Sequence, residues 1–401
     1  MSFELTMDIR DFDEIRPYEL EEMEQAFNDL LNDRQFSTML KGLAPWLPKT
    51  VRNSLLRLAF RGVKTPLDFQ KRFMKPIVKY IIWKYTNGCT FNDASLATNP
   101  SNHALRYTFL SNHRDIVLDS ALLDVMLVDN HYPTTVEIGI GDNLLIYPWI
   151  KRLVRMNKAF TVKRGLSAHE MIRSSQLMSS YIHFAVTTKH ENIWIAQREG
   201  RAKDSSDHTQ DAVLKMLAMG GEGSAIDSLK ELNIVPLTIS YEFDPCDFLK
   251  AKEFQQKRDN PNHKKSKQDD LVNMRTGIFG YKGRVHYHCG TPVNEWIDEL
   301  AGLPHNEFFA ALSRRIDQEI YEGYRLYPSN YIAYDELNGT TDYAANFTAN
   351  DKKQFDEYID GQIAKVDLPD KDETFLRERL LTMYANPLRH HLGLIDSTFA
   401  S

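Results

Sequence analysis

The spacing of hydrophobic residues divides the chain into three stretches. From residue 1 to about 87, apolar residues recur at helical intervals, which predicts helices in ELEEMEQAFNDLLND and in FQKRFMKPIVKYIIWKY. From about 88 to 300, short runs rich in β-branched and aromatic residues alternate with helical patterns. The last hundred residues are helical again and increasingly acidic, and they contain no recognisable chemistry.

The middle stretch predicts an α/β domain. Its β-rich runs are RYTFLSN, TTVEIGIG, AFTVKR, NIWIAQRE, IVPLTISYE and GRVHYHCG. Strands that alternate with helices in this way form a central, mostly parallel sheet flanked by helices. Ser167 and Glu170 predict a capping box at the start of the helix after AFTVKR. We therefore predict an N-terminal helical region over 1–87, an α/β domain over 88–300 and a C-terminal helical extension over 301–401.

Composition and charge exclude some classes of protein. With 401 residues, of which 42% are hydrophobic, the chain is large enough to bury a sizeable core. Its formal net charge of -6 argues against a dedicated nucleic-acid-binding protein, because such proteins usually present a basic face. Cys89, Cys246 and Cys289 are too few and too scattered for a disulfide framework or a zinc ribbon. They predict buried free thiols in a reducing compartment, with a cytoplasmic location.

Two features concern membranes. The N-terminus MSFELTMDIRDFDEIRPYELEEME is acidic and unlike a signal peptide, and no run reaches the roughly 18 to 20 apolar residues of a spanning helix. We expect a protein that is soluble or peripheral on the inner face of the cytoplasmic membrane. The basic amphipathic run FQKRFMKPIVKYIIWKY is a candidate for that peripheral contact. The alternative is a core helix with a solvated basic face, interrupted by Pro76.

Polar residues follow several predicted strands directly. They are Ser111-Asn112-His113-Arg114-Asp115 with Asp119 after TFL, Lys163-Arg164 after AFTV, Arg198-Glu199-Gly200-Arg201 after IWIAQ, and Tyr241-Glu242 after PLTIS. Open α/β sheets bind ligands at the carboxyl ends of their strands, where loops and helix N-termini face a common crevice. We expect a functional site at this edge.

His113 is the candidate base within this set. A carboxylate can hold one nitrogen of a histidine while the other nitrogen accepts a proton from an attacking hydroxyl. His113 would lie on the loop after a strand, and Asp119 near the start of the following helix, within reach of it. Such a pair also occurs by chance on protein surfaces, so it does not establish a function by itself.

Arg164 and Arg201 are candidates for binding a phosphate. Guanidinium groups donate forked hydrogen bonds whose geometry fits phosphate oxygens. Gly200, between Glu199 and Arg201, allows the backbone a tight turn or a close approach to a ligand. The alternative is that each arginine forms an ordinary surface ion pair.

The order of these motifs resembles that of the glycerophosphate and lysophosphatidate acyltransferases, over roughly residues 105 to 245. The family's N-H-x-S-x-x-D pattern has its counterpart in NHRDIVLDS, and its phenylalanine-containing strand ending in arginine in AFTVKRG. Its E-G-x-R pattern is similar to REGRAKD, and its strand led by valine or isoleucine and proline is similar to IVPLTISYE. Four such matches in one order are more specific than any single match.

The resemblance implies a role for each matching residue. His113 would be the base, Arg164 a phosphate ligand, and Pro236 a wall of the acyl pocket. Glu199, Gly200 and Arg201 would form the cradle for the acceptor. The family places its aspartate five residues after the histidine, whereas residue 118 here is Leu. We favour Asp119 as the partner of His113 and keep Asp115 as the alternative.

The implied activity is an O-acyltransferase of phospholipid synthesis. An acyl group would pass from acyl-CoA or an acyl-carrier protein to glycerol 3-phosphate or 1-acylglycerol 3-phosphate, with no metal and no cofactor. An amino-acid lipid as acceptor, and a non-catalytic lipid-binding or membrane-binding relative, stay open as alternatives. An acidic carrier protein could bind a basic run, although a solvated loop is the simpler explanation of that run. The run comprises Lys257, Arg258, Lys264, Lys265 and Lys267.

Three other motifs are rejected. His113-Arg114-Asp115 is similar to a kinase catalytic loop, but Ser120 stands where that loop needs asparagine. Gly139-Ile140-Gly141 lacks the third glycine of a dinucleotide site. His286 and His288 beside Cys289 have no further ligand at zinc-site spacing. We expect His390-His391 to lie on the surface.

Overall fold

The computed structural model describes residues 7–97 and 104–394. The strands are β1 (Cys89–Asn92), β2 (Thr108–Ser111), β3 (Val136–Gly141), β4 (Ala159–Val162), β5 (Asn192–Ala196), β6 (Ile234–Tyr241) and β7 (Val285–Cys289). The N-terminal helices are α1 (Leu20–Asn32), α2 (Arg34–Leu43), α3 (Lys49–Phe60), α4 (Pro66–Asp68) and α5 (Lys75–Tyr85), with a π-helical turn, Phe69–Met74, before α5.

The middle helices are α6 (Ala94–Ala97), α7 (Leu118–Asp129), α8 (Pro148–Met156), α9 (Ala168–Thr187), α10 (Asp211–Leu217), α11 (Ala225–Glu231), α12 (Asp247–Asp259) and α13 (Lys267–Phe279). The last four are α14 (His305–Glu322), α15 (Pro328–Asn338), α16 (Ala349–Ala364) and α17 (Glu373–His391). Short 3-10 helices cover Ile9–Phe12, Asp142–Leu144, Val293–Glu295, Ile297–Leu300 and Ala344–Asn346. Within the described parts of the chain, no helix is both long enough and apolar enough to cross a bilayer.

The seven strands form one sheet in the order β1-β7-β6-β2-β5-β3-β4. The strands β6, β2, β5, β3 and β4 are parallel to their neighbours among these five, whereas β7 pairs antiparallel with β6 and parallel with β1. The predicted α/β class with a mostly parallel sheet is confirmed. The carboxyl ends of five strands therefore lie at one edge, which we call the carboxyl edge.

All six predicted strands are present, and β1 was not predicted. Its sequence CTFN contains a single large apolar residue, and it lies half-buried at the end of the sheet. A short edge strand with one large apolar residue has no detectable alternation. The predicted capping box is confirmed, because Ser167 and Glu170 bond reciprocally at the start of α9.

Apolar side chains cover both faces of the sheet. One layer contains residues of α9, α10 and α14 packed against β2 and β5. The other contains residues of α5 and α7. Burying one large aliphatic or aromatic side chain contributes about 1.5 to 3 kcal/mol, so both layers stabilise the packing of the helices on the sheet.

The terminal helices form two further cores. Residues of α15, α16 and α17 pack together with α12, and residues of α1, α2 and α3 pack together with α8. The helix α14 follows the predicted boundary at residue 300, yet Leu312 and Ile316 lie in the same core as the sheet. The division into three domains stays a prediction.

The prediction that His390 lies on the surface is wrong. His390 is buried, and its ring stacks on that of Tyr321 with centroids 4.2 Å apart. The helical turn places it seven residues after buried Met383 on the inner side of α17, whereas adjacent His391 is exposed. Burial lowers the pKa of His390 to about 4. The three cysteines are free thiols, with Cys246 and Cys289 buried.

Candidate active site

The carboxyl edge gathers most of the predicted site residues. His113 lies two residues after the end of β2, Arg164 two after the end of β4, and Glu199 three after the end of β5. β2 and β5 are neighbours, whereas β4 lies three strands from β2. With about 4.8 Å between neighbouring strands, the loop of β5 is the closer of the two to His113, and that of β4 lies about 14 Å away.

Asp119 accepts a hydrogen bond from His113. The distance from His113 Nδ1 to Asp119 Oδ2 is 2.8 Å. The same oxygen accepts bonds from the backbone N–H groups of Arg114 at 2.6 Å and Asp115 at 3.1 Å. Asp119 is fully buried, and the His113 side chain is 14% exposed. When Nδ1–H donates to a carboxylate, the lone pair of the neutral ring lies on Nε2, which can then accept a proton.

Two tyrosines also hold Asp119. Tyr241 Oη donates to Asp119 Oδ1 at 3.2 Å, and Tyr287 Oη donates to the backbone oxygen of Asp119 at 2.9 Å. Both tyrosines are buried, Tyr241 at the end of β6 and Tyr287 in the middle of β7. Side chains from two other strands thus fix the position of Asp119 and of the first turn of α7.

The spacing of six residues is explained by the start of α7. Leu118, where the family has its aspartate, is buried in the apolar layer against the sheet. Asp115 accepts bonds from the backbone N–H groups of Val117 and Leu118, each at 2.8 Å, and so caps the helix instead. Burial and the nearby Asp119 raise the pKa of Asp115. The structure therefore pairs His113 with Asp119, and Asp115 serves the helix N-terminus.

Asn112 and Trp194 hold His113 in place against the sheet. The amide of Asn112 donates to the oxygen of Ile239 at 3.0 Å and accepts from its N–H at 2.7 Å. The ring of Trp194 meets the His113 ring edge-on, with centroids 5.5 Å apart. These contacts limit the orientations that the imidazole can adopt.

Arg114 forms a buried ion pair beside the base. Its Nη2 lies 2.6 Å from Asp207 Oδ2, and both side chains are almost fully buried. Tyr324 Oη donates to the same carboxylate oxygen at 2.5 Å. The loop of His113 is thereby tied to α14, whose C-terminal end precedes Tyr324.

We predict that Asp207→Ala destabilises the fold by about 3 to 5 kcal/mol, because it leaves the Arg114 guanidinium buried without its counter-ion. Asp298→Ala is a matched control, since Asp298 pairs with Lys230 at 2.6 Å while 70% exposed. The control should change stability by no more than about 0.5 kcal/mol. Urea unfolding of both variants measures the difference. Equal losses would contradict the assignment of Arg114 and Asp207 as a structural pair.

The residues predicted to form the acceptor cradle have partners in two different parts of the molecule. Arg164 Nη1 lies 2.7 Å from Glu199 Oε1, and both side chains are partly or largely exposed. Gly200 has a φ of 71°, a left-handed conformation that glycine adopts without strain. After this turn, Arg201 Nη2 donates to Asn273 Oδ1 of α13 at 3.0 Å. Glu199 thus belongs with Arg164, and Arg201 with α13.

Arg201 lies close to the loop that carries His113. Burial lowers the pKa of Arg201, but the nearby Cys246, Asp244 and Asp115 outweigh it and raise the pKa above its ordinary value. Asp115 is two residues from His113 and is itself influenced by Arg201. Of the two arginines predicted to bind phosphate, Arg201 therefore lies nearer to the candidate base than Arg164 does.

Pro236 lies inside the sheet, near the start of β6. It lies opposite Leu110 of β2, and its oxygen accepts from Gly290 N–H at 2.8 Å. Tyr241, at the end of β6, is five residues further on, about 16 Å along the strand. Pro236 is buried inside the sheet. Its role as a wall of the acyl pocket stays a prediction.

Acidic side chains pair with much of the predicted basic run. Lys257 and Lys265 lie 3.3 and 3.0 Å from the carboxylate of Glu253. Arg258 pairs with Asp259 at 2.8 Å and with Asp372 at 2.7 Å. These pairs match the interpretation of the run as a structural and solvated segment. The binding of a carrier protein there stays a prediction.

Sequence reasoning missed several residues that shape this site, among them Asp207, Tyr287 and Trp194. Asp207 and Tyr287 contact Arg114 and Asp119 from distant parts of the chain, and Trp194 is a strand residue with no distinguishing pattern. The local sequence KDSSDHTQD around Asp207 has no periodicity that would single out one aspartate. Tyr287 lies in the predicted strand GRVHYHCG, but its hydroxyl partner depends on the direction of β7.

Comparisons with known proteins do not assign this chain to a family. No protein-family model matches the sequence, and no curated protein matches it. Among solved structures, the chain is similar to the 1-acyl-sn-glycerophosphate acyltransferase from Thermotoga maritima, with a TM-score of 0.37 and 11% sequence identity. The match covers 63% of this chain and 78% of that one. A likeness of this degree supports no conclusion, and the fold class above rests on the strand order alone.

Proposed function

We propose that this protein is an O-acyltransferase that moves a fatty acyl group from a thioester to the hydroxyl of a phosphate-bearing acceptor. The acceptors that we propose are glycerol 3-phosphate and 1-acylglycerol 3-phosphate, and the donors are acyl-CoA or an acyl-carrier protein. One observation supports this most strongly: His113 Nδ1 contacts the buried carboxylate of Asp119 at 2.8 Å at the carboxyl edge. The cation Arg201 follows the adjacent strand.

The proposed reaction is a direct transfer. His113 Nε2 takes the proton of the acceptor hydroxyl while its oxygen attacks the thioester carbonyl, forming a new C–O bond. The tetrahedral intermediate then collapses, the C–S bond breaks, and the thiolate leaves with the proton from His113. Asp119 stabilises the imidazolium between the two steps, and such a base typically contributes about 10² to 10⁴-fold in rate.

The alternative of a non-catalytic relative rested on the shifted aspartate. Since Asp119 contacts His113 despite the six-residue spacing, that shift no longer favours a loss of base geometry. Measuring thiol release from palmitoyl-CoA and palmitoyl-acyl-carrier protein separates the two hypotheses. Release that requires glycerol 3-phosphate or 1-acylglycerol 3-phosphate supports the proposal. Acceptor-independent or absent release contradicts it, and release only with an amino-acid lipid would replace the acceptor class.

We predict that Tyr241→Phe lowers kcat about fivefold, the effect of losing one hydrogen bond of about 1 kcal/mol. The hydroxyl of Tyr241 donates to Asp119 Oδ1 and helps to hold this carboxylate against His113, so its removal loosens the position of the carboxylate. Steady-state thiol release with saturating acceptor measures the loss of kcat.

Tyr287→Phe is the matched control for Tyr241→Phe. Its hydroxyl bonds to the backbone oxygen of Asp119 rather than to the carboxylate. We expect this variant to lose stability to a similar degree but to keep most of its kcat. An equal loss of kcat in both variants, or none in either, would show that Tyr241 does not act through the carboxylate of Asp119.

A further inference from the structure

The segment from residue 41 to 84 differs in charge from the rest of the chain. It contains eleven lysine and arginine residues and a single acid, Asp68, a net charge of +10 in a chain whose total is -6. Arg52 is buried, and Lys75 and Lys79 lie 2.8 and 2.9 Å from Asp129, so the positive field at the surface comes from the other eight basic side chains. The segment runs from the end of α2 through α3, α4 and the π-helical turn into α5.

The same segment exposes large apolar side chains. On α3, Val51, Leu55 and Leu58 follow one another at the spacing of one helix face and are 42%, 52% and 64% exposed. Trp46, which precedes α3, is 76% exposed. Scattered apolar residues on a surface are ordinary, but a helical stripe of them on a basic segment is not.

The helix α5 has a similar outer face. Ile77, Tyr80 and Trp83 are 44%, 52% and 76% exposed, and the rings of Tyr80 and Trp83 contact each other with centroids 5.8 Å apart. Lys84 Nζ donates to Tyr80 Oη at 3.2 Å. Tyrosine and tryptophan combined with lysine are typical of groups that lie at a membrane–water interface.

Both helices are anchored to the protein by their inner faces. Phe60 of α3 stacks on Phe27 with centroids 3.7 Å apart, and Val78 and Ile81 of α5 lie in the core beside α7. Phe69 of the π-helical turn lies 6.3 Å from Phe60, between centroids. The exposed stripes are therefore the outer sides of two packed helices.

The geometry points to one partner for these outer faces. We propose that α3 and α5 dock on the surface of an anionic lipid bilayer, with their apolar side chains in the interface and their basic side chains on the lipid headgroups. A second copy of the chain would bring two strongly positive surfaces together and be repelled. With 11 residues, α5 is about 16 Å long, so it lies on a bilayer about 30 Å thick rather than across it.

Docking in this way places one end of the docked surface at the carboxyl edge. β1 is antiparallel to the five main strands through β7, so it begins at the edge where they end. The end of α5 reaches that edge, because Lys282 N–H donates to Tyr85 O at 2.9 Å and Val285 N–H to Gly88 O at 3.0 Å. A lipid acceptor in the bilayer would then lie on the side of the molecule where His113 lies. This last step rests on the proposed function, whereas the docking does not.

Sedimentation with lipid vesicles tests the docking without any assay of activity. The full chain should bind vesicles that contain about 30% phosphatidylglycerol in phosphatidylcholine, and bind pure phosphatidylcholine vesicles at least tenfold more weakly. Raising the salt from about 0.1 M to about 0.5 M should weaken the binding to anionic vesicles, because salt screens exposed charges. Equal binding to both kinds of vesicle, or none to either, would overturn the proposal.

Two pairs of variants locate the surface. Leu58→Ser with Trp83→Ser removes one apolar contact from each helix and should weaken binding at least tenfold. Arg61→Gln with Lys84→Gln removes two charges and should weaken it about 30-fold. Since each pair removes a different interaction, unchanged binding in either one, with folding verified by circular dichroism, contradicts the proposal.

Matched controls come from other surfaces. Met171 and Ile172 of α9 are 56% and 64% exposed, so Met171→Ser with Ile172→Ser removes similar apolar groups and should leave binding unchanged. Lys353→Gln with Lys365→Gln removes two exposed charges from α16 and its end and should also leave it unchanged. Loss of binding in the controls would indicate a non-specific effect and overturn the assignment. Light scattering that shows a dimer dissociated by Trp83→Ser would assign the surface to a second copy instead.

The docking and the proposed function can fail separately. Vesicle binding that persists in a protein without acyl transfer would leave the docking surface standing and refute the acyltransferase. Acyl transfer by a protein that does not bind anionic vesicles would support the acyltransferase and refute the docking surface.

Discussion

His113→Ala is expected to lower kcat for acyl transfer by about 10² to 10⁴-fold, with little change in the KM for the thioester. The variant removes the nitrogen that accepts the proton of the acceptor hydroxyl in the proposed reaction. Because the neighbouring residues Asn112 and Arg114 hold the loop of His113 through their own contacts, the fold should persist. Steady-state thiol release with saturating acceptor measures the effect.

Asp119→Asn tests the same pair of residues by changing the carboxylate instead of the histidine. An amide cannot carry the charge that stabilises an imidazolium, so kcat should fall even though the side chain keeps its size. The double variant should be no slower than His113→Ala alone, because the two residues act together. His169→Ala, on the exposed first turn of α9, is the histidine control and should keep full activity. Activity that survives His113→Ala in a folded protein would refute the proposed function.

Arg201→Ala is expected to raise the KM for the phosphate-bearing acceptor by about 10 to 150-fold, the effect of losing a charged hydrogen bond of about 1.5 to 3 kcal/mol. The KM for the thioester should stay near its original value. Arg164→Ala should have a smaller effect, because Arg164 pairs with Glu199 and follows a strand three positions from β2. Initial rates over a range of acceptor concentrations give both constants.

A control is needed because Arg201 also lies beside two buried carboxylates. Removing its charge near Asp115 and Asp244 could destabilise the loop as a whole. Arg201→Lys keeps the charge but loses the forked geometry, so it should retain stability while recovering only part of the acceptor affinity. An acceptor KM that is unchanged in Arg201→Ala would argue for a neutral or zwitterionic acceptor, such as an amino-acid lipid.

The fold class was accessible from the sequence because it depends on local patterns. Buried strands such as IVPLTISY consist almost wholly of apolar and β-branched residues, and helices between them start at recognisable caps. The direction of β7 was not accessible, because a strand has the same composition in either direction. β1 was missed because an edge strand with one large apolar residue has no pattern to detect.

The contacts of the candidate site can also be separated into those that the sequence predicts and those that it does not. The contact between His113 and Asp119 was predictable because both residues belong to one loop and the helix turn that follows it. Tyr241 and Tyr287 reach Asp119 from strands that are remote in sequence, so their bonds depend on the sheet order. The left-handed turn at Gly200, which sends Glu199 and Arg201 in different directions, depends on a backbone angle that the residue type permits but does not require.

One close approach connects the two halves of this site mechanically. Gly277 of α13 lies against Asp115 so tightly that a methyl group there would be 2.0 Å from Asp115 Oδ2. One helical turn earlier, Asn273 holds Arg201. A displacement of α13 would therefore move the loop of His113 and the side chain of Arg201 at the same time. Neither can be adjusted through this helix without disturbing the other.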